Sequence, residues 1–181
     1  SLHDALPISE NTGEELLSVL ERRLDNAIHR LGAIINAVAQ YEPRVATIDG
    51  IAFTEQLQVV SVTGGIAPNV VPDSASLVLN HRVAPDRTRD EALASVVALL
   101  GDLIEGDDVV EVLDWAPAAP PSLTHPVIES LVRATGQPAR AKVGWTDVAT
   151  LSEMGIAATN FGAGDQLLAH RSDEFVTASE L

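Results

Sequence analysis

The residue best suited to do chemistry in this sequence is His170, which follows a Gly162-Ala163-Gly164 turn near the C-terminus. A neutral imidazole is the commonest protein ligand for a transition metal, and this one lies close to the acidic pair Asp173-Glu174. We therefore predict that His170 is a metal ligand. A catalytic zinc normally takes three protein ligands and keeps one position open, so one histidine is not enough.

The remaining histidines do not complete such a site. His29, His81 and His125 fall on helix or strand patterns, where a surface or structural role is the more common one. Glu14 and Glu15 belong to a capping-box pattern, in which carboxylates favour the positive end of a helix dipole. The sequence thus predicts at most a partial metal site.

Two further positions have the chemistry of a ligand site. Alternation along residues 75–83 places Leu77 and Leu79 on one face of a strand and Arg82 on the other. A guanidinium on an exposed strand face can hold a carboxylate with two hydrogen bonds, although it can equally lie along the sheet surface. The turn Gly144-Trp145-Thr146-Asp147 stands at a predicted strand end, where α/β folds place ligands, and we predict Asp147 as a helix N-cap.

Composition excludes several classes of function. The net charge of −15, from 26 acidic and 11 basic residues, argues against nucleic acid as a partner. The absence of cysteine excludes disulfides and thiolate metal sites. No apolar run is long enough for a membrane span, and no secretory signal pattern is present, so we expect a cytoplasmic protein with no membrane partner.

The elements that must position Arg82 lie in residues 26–115, which we predict to be one α+β unit. Helical spacing from Leu17 to Val38 predicts one long amphipathic helix that ends before Pro43. Short β-rich runs flank the turn dipeptide Asp49-Gly50, and a capping box at residues 88–91 opens a second helix. With strands at 45–48, 57–62, 75–83 and 109–113, two helices would cover one face of an antiparallel sheet.

Residues 116–181 must position the turn at Gly144 and the residue His170. The proline-rich run 116–121 predicts a stiff linker and a domain boundary. Beyond it, the patterns predict helices at 126–135 and 147–154 and strands at 139–143 and 156–161, as in part of an α/β layer. Residues 1–11 show no periodic pattern and are interpreted as a leader.

Six runs of this sequence, in this order, resemble the C-terminal half of the dinuclear-zinc M20 amidohydrolases, and within them most closely the actinobacterial succinyl-diaminopimelate desuccinylases. The resemblance covers roughly residues 26–181. The runs are NAIHRL (26–31), YEPRV (41–45), NVVPD (69–73), NHRVAPDR (80–87), KVGWTDVA (142–149), and NFGAGD continuing to LAH (160–170).

The resemblance implies a ferredoxin-like lid and dimerisation domain at 26–115, followed at 116–181 by a C-terminal fragment of an α/β zinc-hydrolase domain. It implies a homodimer that hydrolyses a small N-acyl amino acid, with two zinc ions in the complete site. His170 would bind one zinc, Arg82 and Asn69 would bind the substrate carboxylate or line the closed site, and the turn with Gly144, Thr146 and Asp147 would lie against the product.

This sequence also lacks several residues that the family uses for catalysis. The other zinc ligands and the catalytic base of the family come from an N-terminal half, which has no counterpart here. His3 and Asp4 lack the residue that separates the family's His-x-Asp pair, and Glu14-Glu15 lies too close to Asn26 to be its Glu-Glu pair. Residues 1–25 are therefore interpreted as a non-family leader plus the start of the long helix, and we predict that this chain alone is inactive.

Hydrolysis of N-succinyl-diaminopimelate to succinate and diaminopimelate, a step of lysine biosynthesis, is the activity that the resemblance implies. Two alternatives stay open. One is another M20 deacylase or peptidase, such as an acetylornithine deacetylase. The other is a non-catalytic dimerisation module.

Overall fold

The fold is given by a computed structural model that describes residues 26–142, 144–164, 168 and 171–178. Among these residues, no helix is long and apolar enough to cross a membrane. The elements in chain order are α1 (Ala27–Ala39), β1 (Val45–Ile48), β2 (Ile51–Thr54), β3 (Gln56–Gly64), β4 (Ala75–Arg82), α2 (Arg89–Leu100), a 3-10 turn (Gly101–Leu103), α3 (Pro126–Thr135) and α4 (Val148–Glu153).

The core lies between the two long helices and one face of the β3–β4 sheet. β3 and β4 pair antiparallel from Gln56 opposite Arg82 to Gly64 opposite Ala75, with a bulge near Val60. The two helices pack against an antiparallel sheet as predicted, but the described residues form two separate two-stranded sheets, β1–β2 and β3–β4, where one sheet was predicted. The buried members of the core are Val38 from α1, Leu57 from β3, and Val96 and Leu100 from α2.

Helix α1 begins at Ala27 because Asn26 has extended backbone angles and caps the helix. The Asn26 side chain accepts hydrogen bonds from the backbone N–H groups of Ile28 and His29, at 2.9 and 3.2 Å. The prediction of one helix running continuously from Leu17 to Val38 is therefore wrong at Asn26. Helical spacing in the sequence continues across this residue, but its extended backbone and capping side chain make α1 begin at Ala27. The part of the prediction before Asn26 lies outside the described residues.

The turn at Asp49-Gly50 was predicted correctly, but its second strand was not. Both residues have positive φ, 49° and 79°, as a tight two-residue hairpin turn requires. The strand that returns from this turn is β2, which pairs with β1 from Ile48 opposite Ile51 to Val45 opposite Thr54. The sequence predicted no strand at β2, and the next β-rich run, which is β3, was taken as the partner of β1.

The predicted alternation along β4 and the capping box of α2 are both confirmed. Leu77 and Leu79 are half-buried, and Arg82 is exposed on the opposite face. The Thr88 hydroxyl accepts a hydrogen bond from the Glu91 N–H, and the Glu91 carboxylate accepts one from the Thr88 N–H. The α2 helix thus starts where the sequence predicted.

Residues 105–178 contain fewer elements than predicted. Helices α3 and α4 are confirmed, and Gly136 ends α3 in the left-handed conformation. The strands predicted at 109–113, 139–143 and 156–161 are wrong, because the described residues of these runs have no paired neighbour. An extended run becomes a strand only when another segment accepts and donates its backbone hydrogen bonds. Val143 itself lies outside the described residues.

Candidate functional site

The end of β4 and the turn at Gly144 come together in space. A Cβ atom built on Gly144 would lie 4.0 Å from Nη1 of Arg82 and 3.9 Å from Nζ of Lys142. Arg82 and Lys142 are exposed, whereas Gly144 is half-buried. Two cationic atoms therefore lie within van der Waals range of the position that a Cβ of Gly144 would take, and positive charge of this kind suits an anionic group.

A hydrogen bond joins the Gly144 turn to the segment that follows α4. Nδ2 of Asn160 donates to Oγ1 of Thr146 at 3.1 Å. Because the Thr146 oxygen accepts this hydrogen bond, its own hydroxyl hydrogen is available to a third group. Asn160 was not predicted as a site residue. It begins the NFGAGD run, which follows KVGWTDVA in the sequence, and this order of the two runs could have pointed to it.

Asp147 stands immediately before α4, but its side chain does not cap the helix. The Asp147 backbone is helical, with φ −56° and ψ −15°, and its carboxylate makes no capping hydrogen bond. The first turn is held instead by backbone bonds such as Leu151 N–H to the Asp147 carbonyl. The N-cap role predicted for this side chain is therefore wrong, since a helical backbone turns it away from the free N–H groups.

Asn69 lies at the opposite end of the β3–β4 hairpin from Arg82. It is exposed in the connection between Gly64 and Ala75, which pair at that end, while Arg82 pairs with Gln56 at the other. The connection is anchored to the start of α1 by the Ala27 N–H, which donates to the Pro72 carbonyl at 3.0 Å. Seven steps along β4 correspond to about 23 Å at the usual rise of a strand. Within one chain, Asn69 and Arg82 are thus far apart.

The predicted zinc ligand His170 lies outside the residues that the structure describes. His29 and His125 are exposed, as expected for surface residues, and His81 is half-buried. Within the described ranges, no group of three or more His, Asp or Glu side chains could hold a metal ion. The described part of the chain thus offers no metal site of its own, and zinc stays a prediction that depends on His170.

A buried charged cluster around Glu55 was missed in the sequence. The Glu55 side chain is fully buried, and its Oε1 accepts hydrogen bonds from Nη1 of Arg44 at 3.0 Å and from the Ala84 N–H at 3.2 Å. Nε of Arg87 lies 3.3 Å from the same oxygen. Arg44 also makes a two-pronged ion pair with Asp86. These contacts tie the strands on either side of Glu55 to the segment that directly follows Arg82.

The alternation of inward and outward residues along the strand could have identified Glu55 as buried. It shares the inward parity of Leu57 and Val59, so a carboxylate at that position must be buried with partners. The second oxygen, Oε2, lies 3.9 Å from Nε2 of His81, and neither atom has a hydrogen-bond partner within the described part of the chain. The ring of His81 also meets Tyr41 edge-on, with 6.4 Å between ring centroids.

Three ionisable groups of this cluster have shifted pKa values. Burial lowers the pKa of His81; nearby Glu55 acts in the opposite direction and Arg87 adds to the lowering. The hydrogen bonds from Arg44 hold the pKa of Asp86 below its usual value, and the guanidinium of Arg44 is correspondingly harder to deprotonate. The cluster therefore favours neutral His81 beside the ion pair of Arg44 and Asp86.

Comparison with known proteins gives the family. Residues 18–108 match the family model of the M20 peptidase dimerisation domain. The chain belongs to the M20 peptidase family. This confirms the resemblance that the sequence runs predicted. The matched M20 segment contains α1, all four strands and α2, and it is the dimerisation domain of its family, which supports formation of a homodimer.

Similar M20 proteins occur in two actinobacterial species. A protein of Mycobacterium tuberculosis, in strains CDC 1551 and H37Rv, carries the provisional name succinyl-diaminopimelate desuccinylase DapE. It is 46% identical over 158 residues, which cover 87% of this chain and 44% of that protein. The succinyl-diaminopimelate desuccinylase of Corynebacterium glutamicum is 46% identical over 153 residues, which cover 83% of this chain and 41% of that protein. The chain thus spans less than half the length of these relatives.

Proposed function

We propose that this chain is part of a cytoplasmic zinc-dependent amidohydrolase that cleaves N-succinyl-diaminopimelate into succinate and diaminopimelate. Residues 26–115 serve as the lid and dimerisation domain, and residues 116–181 return to the α/β catalytic domain. The names and the 46% identity of the two actinobacterial relatives support this substrate. The family resemblance implies that the catalytic base comes from an N-terminal part that this chain does not match, so we predict that the chain alone does not turn over substrate.

The observation that carries the proposal is the approach of Arg82 to the space in front of Gly144, at 4.0 Å from a Cβ atom built there. A substrate with a succinyl group ends in a carboxylate, and a guanidinium binds a carboxylate with two charge-assisted hydrogen bonds. Gly144 lets this group come close to the backbone, because it carries no side chain of its own. Arg82 therefore orients the acyl end of the substrate.

The neighbouring turn positions the rest of the substrate. The hydroxyl hydrogen of Thr146 is available to the substrate, because the Thr146 oxygen accepts a hydrogen bond from Nδ2 of Asn160 at 3.1 Å. Asp147, whose carboxylate is exposed and does not cap α4, is available to an amino group of the diaminopimelate part. Together the two residues would hold polar groups on either side of the scissile amide.

His170 supplies one zinc ligand from this chain. Zinc, when bound in the complete site, supplies a Lewis acid that polarises the scissile carbonyl and acidifies a bound water. One histidine contributes only part of the ligand set that such a site needs. The rest of the set comes from the part of the relatives that this chain does not match.

Asn69 acts on the same substrate only from a second copy of the chain. Asn69 lies beyond the far end of the hairpin, which β4 separates from Arg82 by about 23 Å at the usual strand rise, so we do not expect both residues of one chain to touch one small molecule. The dimerisation domain provides the second copy. A homodimer through the lid thus brings Asn69 of one protomer to the Arg82 site of its partner.

A hybrid enzyme tests the function. The segment of the M. tuberculosis relative that matches this chain is replaced by the corresponding 158 residues of this chain. With zinc, we expect the hybrid to hydrolyse N-succinyl-diaminopimelate with a higher kcat/KM than N-acetylornithine, and His170→Ala to abolish both reactions. Preference for N-acetylornithine would assign the chain to another M20 deacylase and overturn the proposed substrate.

A non-catalytic dimerisation module is the second candidate, favoured by the separate core of the lid. In that case the full chain forms a stable dimer in sedimentation experiments, while the hybrid has no hydrolase activity although it folds and binds zinc. A hybrid that is active excludes this alternative.

A further inference from the structure

Arg82 is the last residue of β4, so the strand ladder does not hold the chain beyond it. The β3–β4 pairing ends with Gln56 opposite Arg82. Ala84 follows two residues later, outside the strand, and is only 1% exposed. A buried backbone N–H group needs a hydrogen-bond acceptor, because leaving it without one costs free energy. The group that holds the backbone at Ala84 therefore also limits the directions that Arg82 can take.

Glu55 supplies this acceptor. Its side chain is fully buried, and its Oε1 accepts a hydrogen bond from the Ala84 N–H at 3.2 Å. The other carboxylate oxygen, Oε2, lies 3.9 Å from Nε2 of His81, the residue directly before Arg82. The Glu55 carboxylate thus contacts the chain after Arg82 and faces the residue before it.

Glu55 is itself held in place by backbone and side-chain partners. It lies between the end of β2 at Thr54 and the start of β3 at Gln56, and its N–H donates to the Arg44 carbonyl at 2.8 Å. Nη1 of Arg44 and Nε of Arg87 lie 3.0 and 3.3 Å from Oε1. A buried carboxylate with several partners has few other positions open to it, so it can serve as a rigid anchor.

Arg82 lies on the side of the strand opposite this anchor. Side chains alternate along β4, so the half-buried His81 faces the cluster while Arg82 is exposed on the other face. A rotation of the backbone at residues 81–84 would swing the long arginine side chain away from its position. A misplacement of about 1 Å in a group that binds substrate can cost about 100-fold in rate. A fixed backbone on both sides of Arg82 therefore matters for substrate binding.

We propose that Glu55 is a positioning residue for Arg82. The buried carboxylate holds the chain at residues 81–84, so that Arg82 meets the carboxylate of the acyl group in one orientation. This inference rests on the proposed function, and it adds to it a residue that touches no substrate but sets the selection for acyl groups that end in a carboxylate.

Two Glu55 variants of similar length test this role in the hybrid enzyme. Glu55→Met removes the acceptor for the Ala84 N–H, whereas Glu55→Gln keeps a carbonyl oxygen there. We expect Glu55→Met to raise KM for N-succinyl-diaminopimelate about tenfold with kcat nearly unchanged, and Glu55→Gln to keep KM within about twofold. N-acetyl-diaminopimelate, which lacks the acyl carboxylate, should show no such difference between the two variants.

Val96→Ala is the matched control for lost stability. Val96 is 9% exposed in the core cluster, so its truncation destabilises the lid but removes no hydrogen bond. If Glu55 only stabilised the fold, Glu55→Met and Val96→Ala would both lower the fraction of active enzyme, and hence kcat, at unchanged KM. In the Arg82→Gln background, Glu55→Met should raise KM no further, because the residue that Glu55 positions is gone. An equal rise in KM in both backgrounds would overturn the proposal.

A measurement on the full chain separates this inference from the proposed function. The backbone ¹H–¹⁵N NOE at Arg82 and Val83 reports motion on the picosecond-to-nanosecond timescale. We expect a lower NOE there in Glu55→Met, and values like those of the unmodified chain in Glu55→Gln and Val96→Ala. An unchanged NOE in Glu55→Met overturns the positioning role, whatever the hybrid does. A lowered NOE beside a hybrid that cleaves no N-succinyl-diaminopimelate supports the anchor and overturns the proposed function.

Discussion

The two regions of this chain hold their hydrophobic side chains differently. Residues 26–104 bury a core shared by both long helices and the sheet, and a charged cluster closes one end of it. In residues 116–178, Ile128 and Ala149 are the buried hydrophobic residues among those described. Large side chains of that region are exposed, namely Val127, Trp145, Met154, Phe161 and Phe175. The first region is stabilised by its own packing, whereas the described residues of the second region bury little hydrophobic surface.

The largest expected effect tests whether the first region depends on its own core. Leu57, near the start of β3, is 6% exposed and belongs to the core cluster, so Leu57→Ala should lower the free energy of unfolding of this region by about 3 kcal/mol. Urea denaturation followed by circular dichroism measures this. Leu113→Ala, at a site that is 71% exposed, should change it by less than about 0.5 kcal/mol. Equal effects would mean that the described core is not what holds the region together.

The charged cluster should contribute the next largest effect. Glu55→Gln keeps the shape but leaves Arg44 and Arg87 without their shared carboxylate. Removing one partner of a fully buried pair costs about 3 to 5 kcal/mol, and because both arginines are partly exposed we expect about 2 kcal/mol. Glu42→Gln, at an exposed site, is the matched control in the same denaturation experiment. A loss of under about 0.5 kcal/mol for Glu55→Gln would contradict this role.

The pH dependence of stability sharpens the comparison further. Because burial lowers the pKa of His81, the unfolded chain binds a proton before the folded chain does as the pH falls. The contribution of His81 is thus complete above its ordinary pKa of about 6.5 and is lost as the pH falls towards the lower folded value. Asp86, whose pKa is lowered from an already acidic value, loses its contribution only at more acidic pH.

Denaturation at pH 7.5 and pH 5.5 checks this directly. We expect His81→Gln to remove part of the decrease in stability, up to about 1 kcal/mol, that the unmodified chain shows between the two values. His29→Gln changes an exposed histidine and should keep the full decrease. The opposite sign, in which the chain becomes more stable at pH 5.5 and His81→Gln abolishes the gain, would mean that Glu55 dominates over burial.

The smallest expected effects come from two glycines of the first region. Gly50 has φ of 79° in the β1–β2 turn, so Gly50→Ala should destabilise the chain by about 1 kcal/mol. Gly32 lies within α1 with no atom within 4 Å of an added Cβ, so Gly32→Ala should stabilise it by about 0.7 kcal/mol. Thermal melts of both variants measure the two signs. A stabilising Gly50→Ala would contradict the hairpin turn.

Local patterns predicted the local structure well. The Thr88 capping box, the alternation of β4 and the helix that begins at Pro126 all depend on neighbouring residues, and the structure confirms each. Strand β2 was not predicted because its four residues lie between a turn and a longer β-rich run. The strand predicted at 109–113 was wrong because periodicity alone cannot supply a pairing partner.

The candidate site was predictable only in part, because its geometry is tertiary. The sequence singled out Arg82 and Gly144 separately, and only packing brings the end of β4 to the turn before α4. The same packing leaves Asn69 at the far end of the hairpin, although the family resemblance groups it with Arg82.

The most direct test of the account is the effect of Arg82→Gln in the hybrid enzyme on kcat/KM for N-succinyl-diaminopimelate. If Arg82 holds the acyl carboxylate, its loss should lower this value about 100-fold, whereas Arg89→Gln, the neutralisation of an exposed arginine at the start of α2, should leave it within about twofold. An Arg82→Gln hybrid that folds, binds zinc and retains the unmodified kcat/KM would contradict the central claim.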